Sequence, residues 1–165
     1  MIVLKQAGDF NLVTVADYTF IVNKTKTVAL SGNVSTTRPD EAIFYVKNGQ
    51  YRTTYEITID GSSVASYQTL DNSTSSNASS ITTDNIATEL TNDLNSNLSG
   101  YTVSRDGSII YVSKNSGTFT ASVSDGLGGD GLILIKDKTN SFADLPYKGY
   151  TGFVTEIIGD GGTEF

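Results

Sequence analysis

Apolar positions in this chain fall into short runs, and most runs alternate with polar residues. The clearest case is Tyr51, Thr53, Tyr55, Ile57 and Ile59, interleaved with Arg52, Thr54, Glu56 and Thr58. A period of two predicts a half-buried strand. Asp60-Gly61 follows at once, a pair suited to turns that need positive φ, so Val64 to Tyr67 is expected to return as its hairpin partner. Two more hairpins read the same way. Phe10 to Val15 and Tyr18 to Val22 flank Ala16-Asp17, while Tyr101 to Ser104 and Ile109 to Ser113 flank Asp106-Gly107. Ala42 to Val46 reads as a buried strand closed by Asn48-Gly49. Thr118 to Val123 alternates, Leu132 to Ile135 reads as a short buried strand, and Phe153 to Ile158 as a last one. The chain opens on the apolar run Ile2 to Leu4 and closes on Gly159-Asp160-Gly161-Gly162.

One segment has the other period. Ile86, Leu90, Leu94 and Leu98 recur every four residues, with Ala87 beside them. Thr82, Thr83 and Asp84 offer a cap and early negative charge, and Gly100 a stop, so one amphipathic helix lying on a sheet is expected. Between these elements lie polar stretches. Asn23 to Lys26 is a break, and Ser31 to Pro39 is Ser/Thr-rich and loop-like. Leu70 to Ser80 is low in complexity and reads as an exposed loop, with too little apolar surface to offset its ordering entropy. Phe142 to Tyr150 is irregular around Pro146 and Gly149. The predicted fold class is α+β and β-rich: antiparallel hairpins with one amphipathic helix packed on a sheet. No internal repeat is visible at a fixed period.

Composition narrows the chemistry. The 165 residues suit about one domain and carry a net charge of −7. No basic stripe of the kind that binds nucleic acid is visible, and an acidic chain gains nothing from counterion release. There is no cysteine, hence no disulfide or thiolate chemistry, and no histidine, the commonest general base and metal ligand. A Ser-His-Asp triad is therefore excluded. No apolar run approaches the roughly 20 residues a membrane-spanning helix needs, and no signal peptide is seen.

Four groups of residues invite a functional reading. The glycine-rich Asp125 to Gly131 faintly resembles a calcium loop, but it stands alone and lacks the fixed carboxylate spacing, so a turn is expected. Asp40, Glu41, Asp125, Asp130 and Asp144 include candidates for a glycosidase pair, which needs carboxylates about 5 to 9.5 Å apart. Turn aspartates bonded to their own backbone are the plainer account. Asn-x-Ser/Thr triplets at Asn23, Asn33, Asn72, Asn77 and Asn97 follow from composition. Tyr45, Tyr51, Tyr55, Tyr67, Tyr101 and Tyr111 suggest either a sugar-binding platform or, as is commoner on strands, core and cross-strand packing. The residues single out no catalytic, cofactor-binding or metal-binding position.

The ordered segments do resemble a family. VTVADYTFIVNKTKTV, from Val13 to Val28, is similar to a strand pair of tail tubular protein B, the nozzle protein of short-tailed bacteriophages. Three further segments follow in that family's order. They are NGQYRTTYEITIDGSSVASY (Asn48 to Tyr67), ATELTNDLNSNLSGYTV (Ala87 to Val103) and SFADLPYKGYTGFVTEIIGD (Ser141 to Asp160). The resemblance implies a structural, non-enzymatic role in the virion tail. It implies a ring of six copies of the full-length protein that extends the DNA-ejection channel, with a tail adaptor protein and tail fibres as partners. Double-stranded DNA would pass through without tight binding, as suits an acidic wall. Members are several times longer and built around a β-propeller with inserted domains, so the chain is expected to be an internal fragment. Residues 1–37 are then expected to be partial propeller-blade strands and 38–165 an inserted α+β domain. The last strand, about 153–158, either rejoins the blade or closes the insert. The alternative function is a binding module for a host-surface glycan or a neighbouring tail protein.

Overall fold

A computed structural model describes residues 7–25, 27 and 37–159. Expectations for Ile2 to Leu4, Lys26, most of Ser31 to Pro39, Asn33 and Asp160 to Gly162 lie outside the described residues. The chain divides into two compact units, residues 1–37 and 38–165.

The first unit holds one hairpin. A short 3-10 turn, Ala7–Asp9, leads into β1 (Phe10–Val15), which pairs antiparallel with β2 (Tyr18–Asn23) from Phe10↔Asn23 to Val15↔Tyr18. Ala16 turns the corner at φ +48°, in the left-handed region. The Asn23 carboxamide oxygen accepts the Thr25 N–H at 3.0 Å and finishes the strand. In this register Val13, Val15, Tyr18, Phe20 and Val22 share one face, and Leu12 and Ile21 share the other. All seven are exposed, Tyr18 at 73%.

The second unit holds everything else. Its strands are β3 (Asp40–Val46), β4 (Thr54–Ile59), β5 (Ser62–Gln68), β6 (Tyr101–Asp106), β7 (Ile109–Lys114), β8 (Ala121–Ser124) and β9 (Leu132–Ile135). The two-residue β10 (Lys138–Thr139) and β11 (Glu156–Ile157) follow, and α1 (Thr83–Asn97) lies between β5 and β6. Two antiparallel sheets result, ordered β6-β7-β3-β9 and β5-β4-β8, while β10 and β11 make a parallel bridge. The fold is therefore β-rich α+β with one main helix. It has two sheets, because β8 pairs with β4 of the β4–β5 hairpin, whereas β9 pairs with β3, which lies against β7 of the β6–β7 hairpin.

The periodicities explain the core. Ala42, Phe44 and Val46 of β3, Ile110 and Val112 of β7 and Leu132 of β9 meet Tyr55, Ile57 and Ile59 of β4. Ile86, Ala87, Leu90 and Leu94 of α1 close the same cluster, all with no exposed surface. Fully burying each large side chain contributes about 1.5–3 kcal/mol. The Thr82 hydroxyl caps α1 by accepting the Asn85 N–H at 3.3 Å. Leu98, expected as the end of the stripe, is the C-cap, and its N–H reaches Leu94 O. At the β4–β5 turn Asp60 and Gly61 both take positive φ, 50° and 79°.

Several boundaries differ from the expected ones. Strand β4 begins at Thr54, because Arg52 sits at φ +56° in a turn with Tyr51. Strand β8 begins only at Ala121; ahead of it the Asp60 carboxylate takes the Thr120 N–H at 2.8 Å. The expected last strand shrinks to Glu156–Ile157, since the chain before it is held by side chains.

The Leu70 to Ser80 stretch is not the bare loop its composition suggests. A 3-10 helix covers Ser75–Ile81, and the buried Ser80 hydroxyl accepts the Leu70 N–H at 3.1 Å. Asp71 gathers the rest, accepting from Ser73 N, Ser73 Oγ and Asn77 Nδ2 and pairing with Arg52 at 3.2 Å. Polar bonds order the segment where apolar burial could not. The Ser73 bonds come first among the causes that lower the Asp71 carboxyl to about 2.

Candidate interaction surface

The helix and the three-stranded sheet cover one face of the four-stranded sheet, and a strap of irregular chain covers the other. Ile43, Ile109 and Ile135 point to that outer face, joined by Tyr45, Tyr111 and Ile133. Leu145, Tyr150 and Phe153 come down onto them from the 142–155 segment. The strap starts in a 3-10 turn, Phe142–Asp144, held by a reciprocal capping box between Ser141 and Asp144. It ends in the β10–β11 bridge.

The covering is incomplete. A cleft of about 640 Å³ lies against Ile43, walled by Leu145, Pro146, Tyr150 and Phe153. Phe142, Tyr147 and Val154 stand at its rim, with Phe142 79% and Tyr147 90% exposed. Thr155 Oγ1, also in the wall, is buried without a hydrogen-bond partner.

A charged cluster on β3 pins the strap. Glu41 is buried; its Oε1 accepts from Arg38 and from Val154 N at 3.4 Å, and its Oε2 accepts the Tyr111 hydroxyl at 2.8 Å. Arg38 also donates to Gly152 O. Asp40, next in the strand, pairs with Lys136 and accepts the Phe119 N–H at 2.6 Å. The Lys136 ammonium sits 4.8 Å over the Phe119 ring.

The glycine-rich loop is built inward around one carboxylate. Asp125 is 3% exposed. Its Oδ1 accepts from Leu127 N at 2.8 Å and Gly129 N at 3.1 Å, and its Oδ2 from Gly131 N at 2.6 Å and Leu132 N at 2.9 Å. Burial opposes ionisation, but the four N–H donors together hold the carboxyl below its ordinary value. With its oxygens turned to the backbone, the loop is a turn with a caged carboxylate rather than an open ring of ligands.

The other sequence candidates scatter. Asp40, Glu41, Asp125 and Asp144 each serve a backbone N–H, an ion pair or both, and Asp130 is exposed in the glycine loop. Among the described residues no group of three or more His, Cys, Asp or Glu is placed to hold a metal ion. Asn77 bonds Asp71 and Asn97 bonds Val64 O, so these triplets fall within local hydrogen-bond networks. Tyr45, Tyr55, Tyr67, Tyr101 and Tyr111 take the packing alternative. Tyr55 is buried and bonds Asn48 O, Tyr67 accepts from Asn85, Tyr101 meets Phe119 edge to face, and Tyr111 stacks on Tyr150 at 4.7 Å. The tyrosine left open at the cleft, Tyr147, was not among the six. Its only signal in the sequence is its place beside Pro146 in a non-periodic stretch.

Comparison with known proteins bears on this arrangement. The family described as bacteriophage nozzle protein matches residues 3–165. Tail tubular protein gp12 of Escherichia phage T7 is 32% identical over 162 residues, an alignment covering 93% of this chain. The chain spans about one fifth of that relative, whose aligned share is 20%.

Proposed function

Because the chain belongs to the bacteriophage nozzle protein family, and so to the virion tail, we propose that it is a structural portion of a tail nozzle that forms part of the DNA-ejection channel. The observation that carries this reading is the family match, which runs along nearly the whole chain. Residues 1–37 are the partial propeller blade. Support comes from the hairpin, whose apolar side chains are exposed on both faces. Two strands alone are at best marginally stable in water, so such a hairpin fits a larger sheet. Residues 38–165 are the inserted α+β domain. Support comes from Arg38 and Glu41, at its start, which bond Gly152 and Val154 and so bring the first strand beside a segment late in the chain. Closeness of the first and last segments of a domain is what tolerates insertion.

The partners of the full-length protein are other copies in a hexameric ring, the tail adaptor protein and the tail fibres. The net charge of −7 supports passage of duplex DNA without tight binding. Reconstruction of a tail containing the full-length protein tests this. The expected map places β1 and β2 as neighbouring strands of one blade. A map with the hairpin paired outside any blade, or the chain absent from the nozzle, overturns the reading.

A second reading, a binding module, is favoured by one observation: the apolar cleft rimmed by Phe142, Tyr147 and Val154. Its wall of Ile, Leu, Pro, Tyr, Phe and Val suits a neighbouring tail protein better than a host-surface glycan. Glycan-array binding lost on Tyr147→Ala would reverse that preference.

A further inference from the structure

We propose that residues 142–155 form a releasable strap, which detaches from the outer face of the four-stranded sheet as one unit while the rest of the domain stays folded, with Arg38 and Glu41 as its latch. The strap differs from the helix. The helix on the opposite face buries Ile86, Ala87, Leu90 and Leu94 completely. The strap buries only part of Leu145, Tyr150 and Phe153, leaves a 640 Å³ cleft beneath itself, and turns Phe142 and Tyr147 outward. Low apolar burial per residue is the physical mark of a segment that opens locally.

What holds the strap is polar and narrowly placed. Arg38 bonds Gly152 O, and Glu41 bonds Val154 N. The Tyr150 hydroxyl bonds Ser104 while its ring lies on Tyr111, which itself bonds Glu41. Lys148 pairs with Asp106 at 2.6 Å on the surface. Glu41 thus touches the strap directly through Val154 and indirectly through Tyr111. Beyond the strap, the β10–β11 bridge is only two residues long on each side. Release would uncover Ile43, Ile109 and Ile135, each 2% exposed, without disturbing the helix-side cluster, to which none of the three belongs.

Hydrogen exchange followed by mass spectrometry on the whole 165-residue chain tests this. Amides of 142–155 should exchange together and well ahead of those of α1 and β7. Glu41→Gln keeps the shape but weakens the charge-assisted bonds, so it should speed exchange in 142–155 by about tenfold or more and leave α1 unchanged. Tyr150→Phe, which removes only the Ser104 bond, should give a smaller acceleration confined to the same peptides. The proposal is overturned if 142–155 and α1 exchange in step. It is equally overturned if Glu41→Gln speeds both alike, or if neither variant changes the strap.

Discussion

Replacing Asp125 by alanine removes the one acceptor that holds the 125–132 loop. Four backbone N–H groups lose their partner at once. Those of Gly131 and Leu132 belong to buried residues, while Gly129 is exposed and can turn to water. A buried donor left unpaired costs about 1–3 kcal/mol, so the two buried ones set the loss at about 2–6 kcal/mol. That is a large part of the roughly 5–15 kcal/mol a typical domain has. Urea unfolding at pH 7, followed by circular dichroism, reads it directly. Asp125→Asn should fall between wild type and alanine. Asparagine keeps one acceptor oxygen, but its NH2 then faces two N–H donors. The pH dependence follows with a definite sign. The carboxyl lies below its ordinary value in the folded chain. Its contribution is therefore complete above the unfolded value of about 3.9 and is lost as pH falls through the lower folded one. Wild type should lose stability more steeply than Asp125→Asn below about pH 4. A loss under about 1 kcal/mol for Asp125→Ala would refute the cage as the source of order in this loop.

Other outcomes follow from the same geometry. Gly49→Ala would place a Cβ 1.9 Å from Ile81 O and 2.9 Å from Ile86 Cδ1, so backbone must move. Overpacking of this kind costs about 1–3 kcal/mol or more, seen as a lower urea midpoint at unchanged slope. Leu90→Ala, at a fully buried helix position, should cost about 2–5 kcal/mol in the same assay. Carbon-detected NMR titration should place the Asp71 carboxyl at about 2. Arg52→Ala should raise that value without melting Ser75–Ile81, because the Ser73 bonds, which come first among the causes, remain.

Much of this fold was legible because it is local. The three hairpins announce themselves through Ala16-Asp17, Asp60-Gly61 and Asp106-Gly107, and the helix through Ile86, Leu90 and Leu94. What stayed hidden depends on partners distant in sequence. Strand β9 gains its place only by pairing Ile43 with Ile135, and β8 by pairing Ile57 with Val123. A four-residue apolar run carries no mark of which edge it will extend. Segments held by side-chain-to-backbone bonds were missed for a related reason. Asp71 and Asp125 look alike in sequence to any turn aspartate, yet one organises a 3-10 helix and the other a buried loop. Phe142 to Tyr150 is irregular as the sequence implies, but Phe153 to Thr155, expected within the last strand, belongs to the strap, whose latch joins residues 113 and 114 positions apart.

The exposed apolar residues do not all carry the same message. On the β1–β2 hairpin they lie on both faces of two strands, and among the described residues of that unit they line no common interior. A two-stranded hairpin buries little of such surface by itself. At the strap, Phe142, Tyr147 and Val154 surround a cleft whose floor is Ile43, already 2% exposed. That surface needs no further strand to be complete. Exposure on both faces of two paired strands and exposure around a closed floor are different arrangements. The two kinds of residue differ little in sequence: both are Val, Tyr, Phe and their like among polar neighbours. Register and burial separate them, and these are set only when the strands find their partners.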